Sequence, residues 1–233
     1  MRGIITVNPF VGLKVMISKK VSEQRKALEI EDLQTLFDEK YFIQDDERPS
    51  RYWVPIIAAY SGMRMEEIAQ LTRSDLQIIE GVLCFNINDD GEKKLKTLNS
   101  ARIVPAHSEL LRLGFDRFLE NKEDDERLFF DLSKKNNGKW SHNLSKWFIR
   151  YRRKCGVTEP GKTFHSFRHT VATIWKRQDV HESIPATLLG HSAGGITYTR
   201  YGKGYEIDKL SGVIQLITYP GLDIQPWGAQ VEL

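Results

Sequence analysis

A histidine and an arginine, His165 and Arg168, stand three positions apart in the segment TFHSFRHT at residues 163–170. Read as a helix, the apolar residues from Phe167 to Trp175 fall on one face, which predicts that this face packs into a core. His165 and Arg168 lie one turn apart and point away from that face, so both can reach one ligand together. An HxxR pair by itself is only a weak indication of a site.

The histidines allow a second interpretation, which is metal binding. His165 and His169 stand at i and i+4, a spacing that can bind zinc, and His191 could supply a third ligand for a metallohydrolase. No glutamate lies between His165 and His169 to act as the general base of a zinc protease. We therefore expect no metal, and loss of activity to chelators would separate a metallohydrolase from the alternatives.

Further segments carry charged or nucleophilic residues. In chain order they are SGMRMEEI at 61–68, Lys96-Thr97 with Ser100, Arg102 and Val104-Pro105, the segment around His165, LLGHS at 188–192, and the residues from Thr197 to Tyr201. This order and spacing resemble the tyrosine recombinase family, over essentially the whole chain from Asn8-Pro9 onward. Five separated motifs in the right order are a strong signal where each alone is weak.

The resemblance implies a set of site residues. The expected catalytic residues are Arg64, Lys96, His165, Arg168, His191 and Tyr201, with Glu67 as a supporting acid. By the resemblance, the two arginines hold the scissile phosphate, the lysine lies on a hairpin, the histidines line the site and the tyrosine is the nucleophile. Lys93 and Lys94 compete with the lysine, although only Lys96 stands before a threonine. Tyr198 and Tyr205 compete with the tyrosine, and an insertion of about one residue precedes it.

The chemistry of phosphodiester cleavage agrees with these roles. The transition state carries extra charge on its non-bridging oxygens, and the planar fork of arginine binds such oxygens in pairs. Because a tyrosine of pKa about 10 is a poor nucleophile at neutral pH, cations and a histidine must favour its phenolate. Lys96 could protonate the leaving 5′ oxygen. A phosphotyrosine bond preserves the energy of the broken bond, so we expect no cofactor.

The elements that must position these residues are mostly helical. The patterns predict helices from about residue 28, at Arg51 to Tyr60, Ser108 to Asn121, Ser141 to Cys155, His165 to Gln178, Ser183 to Leu189, and, more briefly, Thr197 to Tyr201 and Ile207 to Ile217. Three strands are predicted at Leu76 to Ile79, Val82 to Ile87 and Ala101 to Val104. Ser61-Gly62 places Arg64 at a corner between helices. The expected fold is α+β, the tyrosine recombinase catalytic domain with one small three-stranded antiparallel sheet.

A basic stretch predicts a second functional surface. Residues 133–156 hold eight basic side chains, no acid and several aromatic residues. The expected DNA-binding residues are Lys134, Lys135, Lys139, Lys146, Arg150, Arg152 and Arg153. A solvated helix face with its aromatic residues turned to the core explains the pattern equally well.

Composition limits the organisation of the chain. It has 233 residues and a net charge of +3, with 40% hydrophobic residues, which suits one globular domain. Residues 1–27 look like the remnant of an interdomain linker, with N-terminal DNA-binding domains absent, and 28–233 like the catalytic domain, with a C-terminal tail from about residue 206. Cys84 and Cys155 suggest reduced core thiols. No membrane span or signal peptide is predicted, so we expect a cytoplasmic protein.

The expected function is a site-specific recombinase or integrase of a phage or mobile element. Its partners would be double-stranded DNA at an attachment or recombination site and further copies of itself, in a tetrameric synapse. A catalytically silent DNA-binding regulator on the same fold and a type IB topoisomerase remain the alternatives. The regulator should lack an arginine or the tyrosine, and the topoisomerase would relax supercoiled DNA as a monomer.

Overall fold

The computed structural model describes residues 25–97, 100–120, 122–136, 138–191 and 205–228. Helices dominate this part of the chain, and one small sheet accompanies them, as predicted. The helices are α1 (Ile30–Leu36), α2 (Ser50–Ser61), α3 (Met65–Ala69), α4 (Ser108–Arg112), α5 (Phe115–Leu119), α6 (His142–Lys154), α7 (Ser166–Arg177), α8 (Ser183–Leu189) and α9 (Ile207–Gln215). The strands are β1 (Leu76–Ile79), β2 (Val82–Ile87) and β3 (Arg102–Pro105). The predicted segment Thr197 to Tyr201 and the expected linker before residue 25 lie outside the described residues.

The sheet is antiparallel with the order β1-β2-β3. Leu76 pairs with Phe85, and Phe85 pairs with Val104 on the other side, so these three buried side chains line the core face. Glu80 and Gly81, which separate β1 from β2, both have positive φ angles, 52° and 80°. Two such residues form the turn that matches the twist of a two-residue hairpin.

Helix α2 is the centre of the core. Every residue from Tyr52 to Ser61 is buried, because the helix is apolar around most of its circumference and other elements must cover each face. It packs against α3, α4 and α7. The helix ends at Gly62, whose φ of 68° is left-handed. A Cβ there would lie 2.8 Å from Cδ2 of Leu189 and 3.3 Å from Cγ1 of Val171, so α2 can end against α7 and α8 only with glycine at this position.

The prediction of one helix from Ser108 to Asn121 is wrong. The chain forms two short helices, α4 and α5, which are separated at Gly114 with a φ of 86°. A left-handed residue cannot continue a helix, so the chain turns there. The turn buries Leu113 and Phe115 on either side of the glycine.

The C-terminal segment packs on this chain's own core. Trp175 Nε1 donates to the carbonyl of Val213 at 2.8 Å, and the Tyr219 hydroxyl donates to the carbonyl of Ala59 at 2.6 Å. Further on, the ring of Trp227 contacts Tyr52 and Trp53, with centroids 5.1 and 5.8 Å apart. Residues 207–227 therefore complete the core around α2 and α7.

Two predictions about composition can be compared with the structure. Cys84 and Cys155 are buried and unpaired, which confirms that they are core thiols. Among the residues that the structure describes, no helix is both long and apolar enough to cross a membrane.

Replacing Trp227 by alanine should lower the free energy of unfolding by about 3 kcal/mol, the usual cost of deleting a large packed aromatic side chain. The loss follows from its contacts with Tyr52, Trp53 and Phe118. Ile78→Ala is the control, because this side chain is 76% exposed. Urea denaturation measures both variants. An equal effect of the two substitutions would show that the tail does not complete the core.

Candidate active site

Arg64 is the N-cap residue immediately before α3, at the corner that the sequence predicted. Its backbone N–H donates to Oε2 of Glu67 at 2.8 Å, and its Nη1 donates to Oε1 of the same carboxylate at 2.5 Å. The side chain is 18% exposed. Glu67, one turn into the helix, thus caps α3 and fixes the direction of the guanidinium.

Arg102, on β3, binds the same carboxylate from the other side. Its Nη1 and Nη2 lie 3.1 and 2.9 Å from the two carboxylate oxygens of Glu67. Burial alone would raise the pKa of the Glu67 carboxyl, but the charge and hydrogen bonds of Arg102, together with those of Arg64, lower it to about 2. Glu67 is therefore ionised at neutral pH although it is buried.

Arg168 lies beneath the corner between α2 and α3. Its Nη1 donates to the carbonyl of Gly62 at 3.1 Å, and its Nη2 donates to the carbonyl of Leu189. Burial, followed by the charges of Arg64 and Arg102, lowers the pKa of the guanidinium to about 9, so it is still a cation at neutral pH. The sequence placed this residue away from the core, whereas it is 3% exposed and anchors two helix ends.

His165 precedes the first turn of α7. Its ring meets that of His169 edge to face, with centroids 5.0 Å apart. Burial lowers the pKa of His165 to about 4, and the nearby charge of Arg25 contributes, with smaller contributions from Arg168 and Arg64. The imidazole is therefore neutral at physiological pH, and one ring nitrogen can accept a proton.

His191 follows α8, which ends at Gly190 in the left-handed region with a φ of 61°. The backbone N–H of His191 donates to the carbonyl of Ala186 at 2.9 Å, and the side chain is exposed. Partial burial of the ring lowers the pKa of this histidine, and so do the cations around it, Arg168, Arg64, Arg102 and Lys96. Elements far apart in sequence thus bring these side chains to one place.

The connection between β2 and β3 distinguishes the three lysines. Lys93 is 11% exposed and forms an ion pair of 2.6 Å with Asp75. The backbone of Lys94 exchanges two hydrogen bonds with the side chain of Gln70, at 3.0 and 3.2 Å. Lys96 is exposed, and its charge reaches His191. The connection is thus anchored at Lys93 and Lys94, and Lys96 is the one of the three lysines whose charge acts on His191.

The expected nucleophile, Tyr201, and its competitor Tyr198 lie outside the described residues. Tyr205 lies within them. Its hydroxyl is 2.5 Å from Oγ of Ser183, and the ammonium of Lys209 lies over its ring at 5.2 Å from the centroid. These contacts hold Tyr205 against α8 as a packing residue.

The basic residues at 133–156 fall on α6 and the loop before it. Lys135, Lys139, Lys146, Arg150 and Arg153 are exposed. Lys134 instead lies 3.3 Å from a carboxylate oxygen of Glu92, and Arg152 donates to the carbonyl of Val157 at 2.6 Å. The aromatic residues turn inward, with Phe148 and Tyr151 buried. DNA binding by this surface stays a prediction.

The loop before α6 is attached to the site. Both carboxylate oxygens of Glu66 accept backbone N–H groups at 2.9 Å, from Trp140 and Ser141. Glu66 and Glu67 are adjacent residues in the first turn of α3. The hydrogen bonds of Glu66 therefore attach the basic loop close to Arg64. No group of three His, Cys, Asp or Glu residues with the geometry of a metal site occurs in the described ranges.

The sequence places Arg102 in a motif but predicts no role for it. Its partners Glu67 and Leu188 are 35 and 86 residues away, so no local pattern links them. One signal was present. Arg102 and Val104 are two residues apart on a strand, so their side chains lie on the same face, and Val104 is fully buried. A charged side chain on this inward face requires a buried partner.

The sequence model of the phage integrase family matches residues 26–206. This range includes the cluster of site residues described above, which are Arg64, Glu67, Lys96, Arg102, His165, Arg168 and His191. The chain belongs to the phage integrase family. It is also 31% identical over 150 residues to a putative integrase/recombinase, y4rE, of Sinorhizobium fredii (strain NBRC 101917 / NGR234), a match that covers 58% of this chain and 45% of the relative. The chain therefore spans less than half the length of that relative.

Solved structures show the same fold. The integrase from mycobacterium phage Brujita superposes with a TM-score of 0.59 at 17% identity, covering 89% of this chain and 62% of that one. The Tn1549 transposon integrase gives 0.55 at 20%, covering 86% and 69%, and the XerH site-specific recombinase gives 0.54 at 20%, covering 74% and 48%. The fold is that of the tyrosine recombinase catalytic domain.

Because His165 is held neutral in the folded protein, the free energy of unfolding should depend on pH. A histidine in the unfolded chain titrates at its ordinary pKa of 6.5, whereas burial lowers the pKa of folded His165 to about 4. The unfolded state therefore binds more protons between these values, and the free energy of unfolding must fall as the pH drops through this window. His165→Asn should reduce the fall by about 2 kcal/mol.

Other histidines with lowered pKa values, His169 and His191, should keep part of the slope in this variant. Denaturation midpoints measured across the window give the result, with His181→Asn as the exposed control. A slope that His165→Asn leaves unchanged would mean that His165 is not held neutral.

Proposed function

We propose that this chain is the catalytic domain of a site-specific tyrosine recombinase, which cleaves and rejoins DNA strands through a 3′-phosphotyrosyl intermediate. Its catalytic residues would be Arg64, Lys96, His165, Arg168, His191 and Tyr201, with Glu67 in support. Membership of the phage integrase family supports this assignment, and phage and transposon integrases are among the proteins of similar fold.

The charge balance of the cluster is the observation that carries the proposal. Three guanidinium groups surround one carboxylate, that of Glu67, and the charge of Lys96 adds to theirs. Burial is the main cause that lowers the pKa values of Arg168 and both histidines, and the positive charge that Glu67 leaves unneutralised lowers them further. Such a site is prearranged for an anion that brings two or more negative oxygens, which is what a phosphodiester becomes in its transition state.

In the proposed first step, the phenol oxygen of Tyr201 attacks the phosphorus of the scissile phosphate. A bond forms between the two, and the bond from phosphorus to the 5′ oxygen breaks. The phenol proton passes to a neutral imidazole of the site, His165 or His191. The bound phosphate opposes the cations that lower the pKa of these histidines, so their basicity increases when the substrate is present.

The leaving 5′ oxygen takes its proton from Lys96, whose exposed position near His191 suits a group that must reach the DNA. Arg64 and Arg168 stabilise the non-bridging oxygens throughout. Rejoining is the reverse reaction, with a 5′ hydroxyl of DNA as the attacking group. Because the phosphotyrosine bond keeps the energy of the bond that was broken, neither water nor a nucleotide cofactor takes part.

The partners would be double-stranded DNA and further copies of the chain. Two of the similar structures are complexes with DNA, XerH with its difH substrate and the Tn1549 integrase with a transposon end. The exposed cations of α6 and its preceding loop would contact backbone phosphates. Glu66 joins this loop to the arginine corner, which is formed by Arg64, Arg102 and Arg168 around Glu67. A tetrameric synapse at a recombination site is the assembly we propose.

Arg64→Ala and Arg168→Ala should each slow DNA cleavage by about 10²-fold or more, the cost of losing a fixed donor to the transition state. Cleavage of a nicked suicide substrate in a single turnover measures the rate. Arg117→Ala is the control, because this arginine is exposed and donates to the carbonyl of Trp227 in the C-terminal segment. Near-normal cleavage by a folded Arg64 or Arg168 variant would remove that arginine from the mechanism.

Tyr201→Phe should abolish the covalent complex with DNA while DNA binding and the fold are retained. Only the phenol oxygen is lost, and it is the atom that forms the bond to phosphorus. Peptide mapping of the trapped wild-type complex identifies the modified residue, and Tyr198→Phe and Tyr205→Phe serve as controls. A complex that still forms in Tyr201→Phe would assign the nucleophile to another tyrosine. Relaxation of supercoiled DNA by the monomer would favour a topoisomerase.

A further inference from the structure

Arg102 is the most completely bonded cation of the cluster. Its side chain is 4% exposed. Nε donates to the carbonyl of Leu188 at 2.7 Å, Nη1 to the carbonyl of Ser100 at 2.8 Å, and both terminal nitrogens to Glu67. Four of the five N–H groups of a guanidinium are thus used within the protein. Arg102 has little left to offer a phosphate.

These bonds join three elements that carry site residues. The side chain of Arg102 extends from β3. Its guanidinium binds the carboxylate of Glu67 in the first turn of α3 and the carbonyl of Leu188 in the last turn of α8. It also packs against Gly190, where a Cβ would lie 2.9 Å from Nη1 of Arg102. Arg64 lies on the far side of the shared carboxylate, and His191 follows Gly190 directly.

We propose that Arg102 is a positioning residue, which holds Glu67 and the end of α8 so that Arg64 and His191 face the scissile phosphate in fixed positions. It acts through these residues and does not touch the DNA. The inference rests on the proposed function, since it assigns Arg102 to the same reaction. A planar fork is required, because one guanidinium must bind a carboxylate with two nitrogens while Nε faces the opposite way.

The charges around Glu67 predict that Arg102 affects the pH dependence of activity, which a residue that only stabilises the fold would not do. The groups that face this carboxylate are Arg64 at the start of α3, Arg102 on β3 and Arg168 on α7. Arg102 is the strongest of the influences that keep Glu67 ionised, and burial opposes them. Without Arg102 the pKa of Glu67 should rise, and a protonated Glu67 would release Arg64. Activity should then be lost preferentially at acidic pH.

The experiment compares Arg102→Gln with Arg102→Lys in single-turnover cleavage, from mildly acidic to mildly alkaline pH. We expect Arg102→Gln to lower the rate by about tenfold to a hundredfold, as is usual for residues that orient a binding group, with the larger loss on the acidic side. Arg102→Lys keeps the charge, so it should restore the shape of the pH profile while the rate stays below that of the wild type. DNA affinity should not change in either variant.

Arg127→Lys is the matched control. This half-buried arginine also donates to a backbone carbonyl, that of Ala69 at 3.1 Å, and stacks on Trp140, but no contact joins it to Glu67. It should lower the thermal midpoint without changing the pH profile. If Arg102→Gln and Arg102→Lys lose rate equally at every pH, in proportion to their loss of stability, Arg102 is merely structural and the proposal is overturned.

A second measurement requires no turnover. The ¹³C resonance of the Glu67 carboxyl reports its pKa directly, and this pKa should rise in Arg102→Gln and stay low in Arg102→Lys. An unchanged pKa in Arg102→Gln would overturn the positioning role even in an active enzyme. If the wild type itself forms no covalent complex with DNA, the proposed function fails, and the carboxyl titration still decides whether Arg102 holds Glu67.

Discussion

The pairing of the Glu67 carboxylate with Arg64 and Arg102 is the interaction on which the site depends. A buried carboxylate is unfavourable by itself, and two buried arginines side by side repel each other. Together they form an arrangement in which each group needs the others, and the carboxylate neutralises only part of the positive charge. The remaining charge, with Arg168 beneath it, creates the demand for an anion. The hydrogen bonds that support the fold therefore also leave the site positively charged.

Helix ends complete this arrangement. Gly62 and Gly190 end α2 and α8 in left-handed conformations, and both ends face the arginines. The carbonyls of Gly62 and Leu189 accept from Arg168, and that of Leu188 accepts from Arg102. The carbonyls at helix C-termini lack partners within the helix, and they carry partial negative charge. They hold the guanidinium groups without adding a full negative charge that would compete with a phosphate.

The sequence predicted the elements well where a pattern is local. The strands of the sheet and α8 begin and end within one residue of their predicted bounds, because alternation and helical spacing are properties of neighbouring residues. The helix at Ser108 to Asn121 was wrong because its periodicity continues across Gly114, whose φ the pattern does not reveal. The residues of the arginine corner were predicted by resemblance to the family, whereas the role of Arg102 depends on contacts over 35 and 86 residues, which no local pattern contains.

The packing of Trp227 against Tyr52 and Trp53 also bears on how the protein is made. During translation α2 is synthesised long before Trp227, which packs against it. For most of synthesis this apolar helix therefore lacks some of the residues that cover it. A nascent chain that stops before residue 227 would therefore expose the apolar surface of α2 to chaperones and proteases.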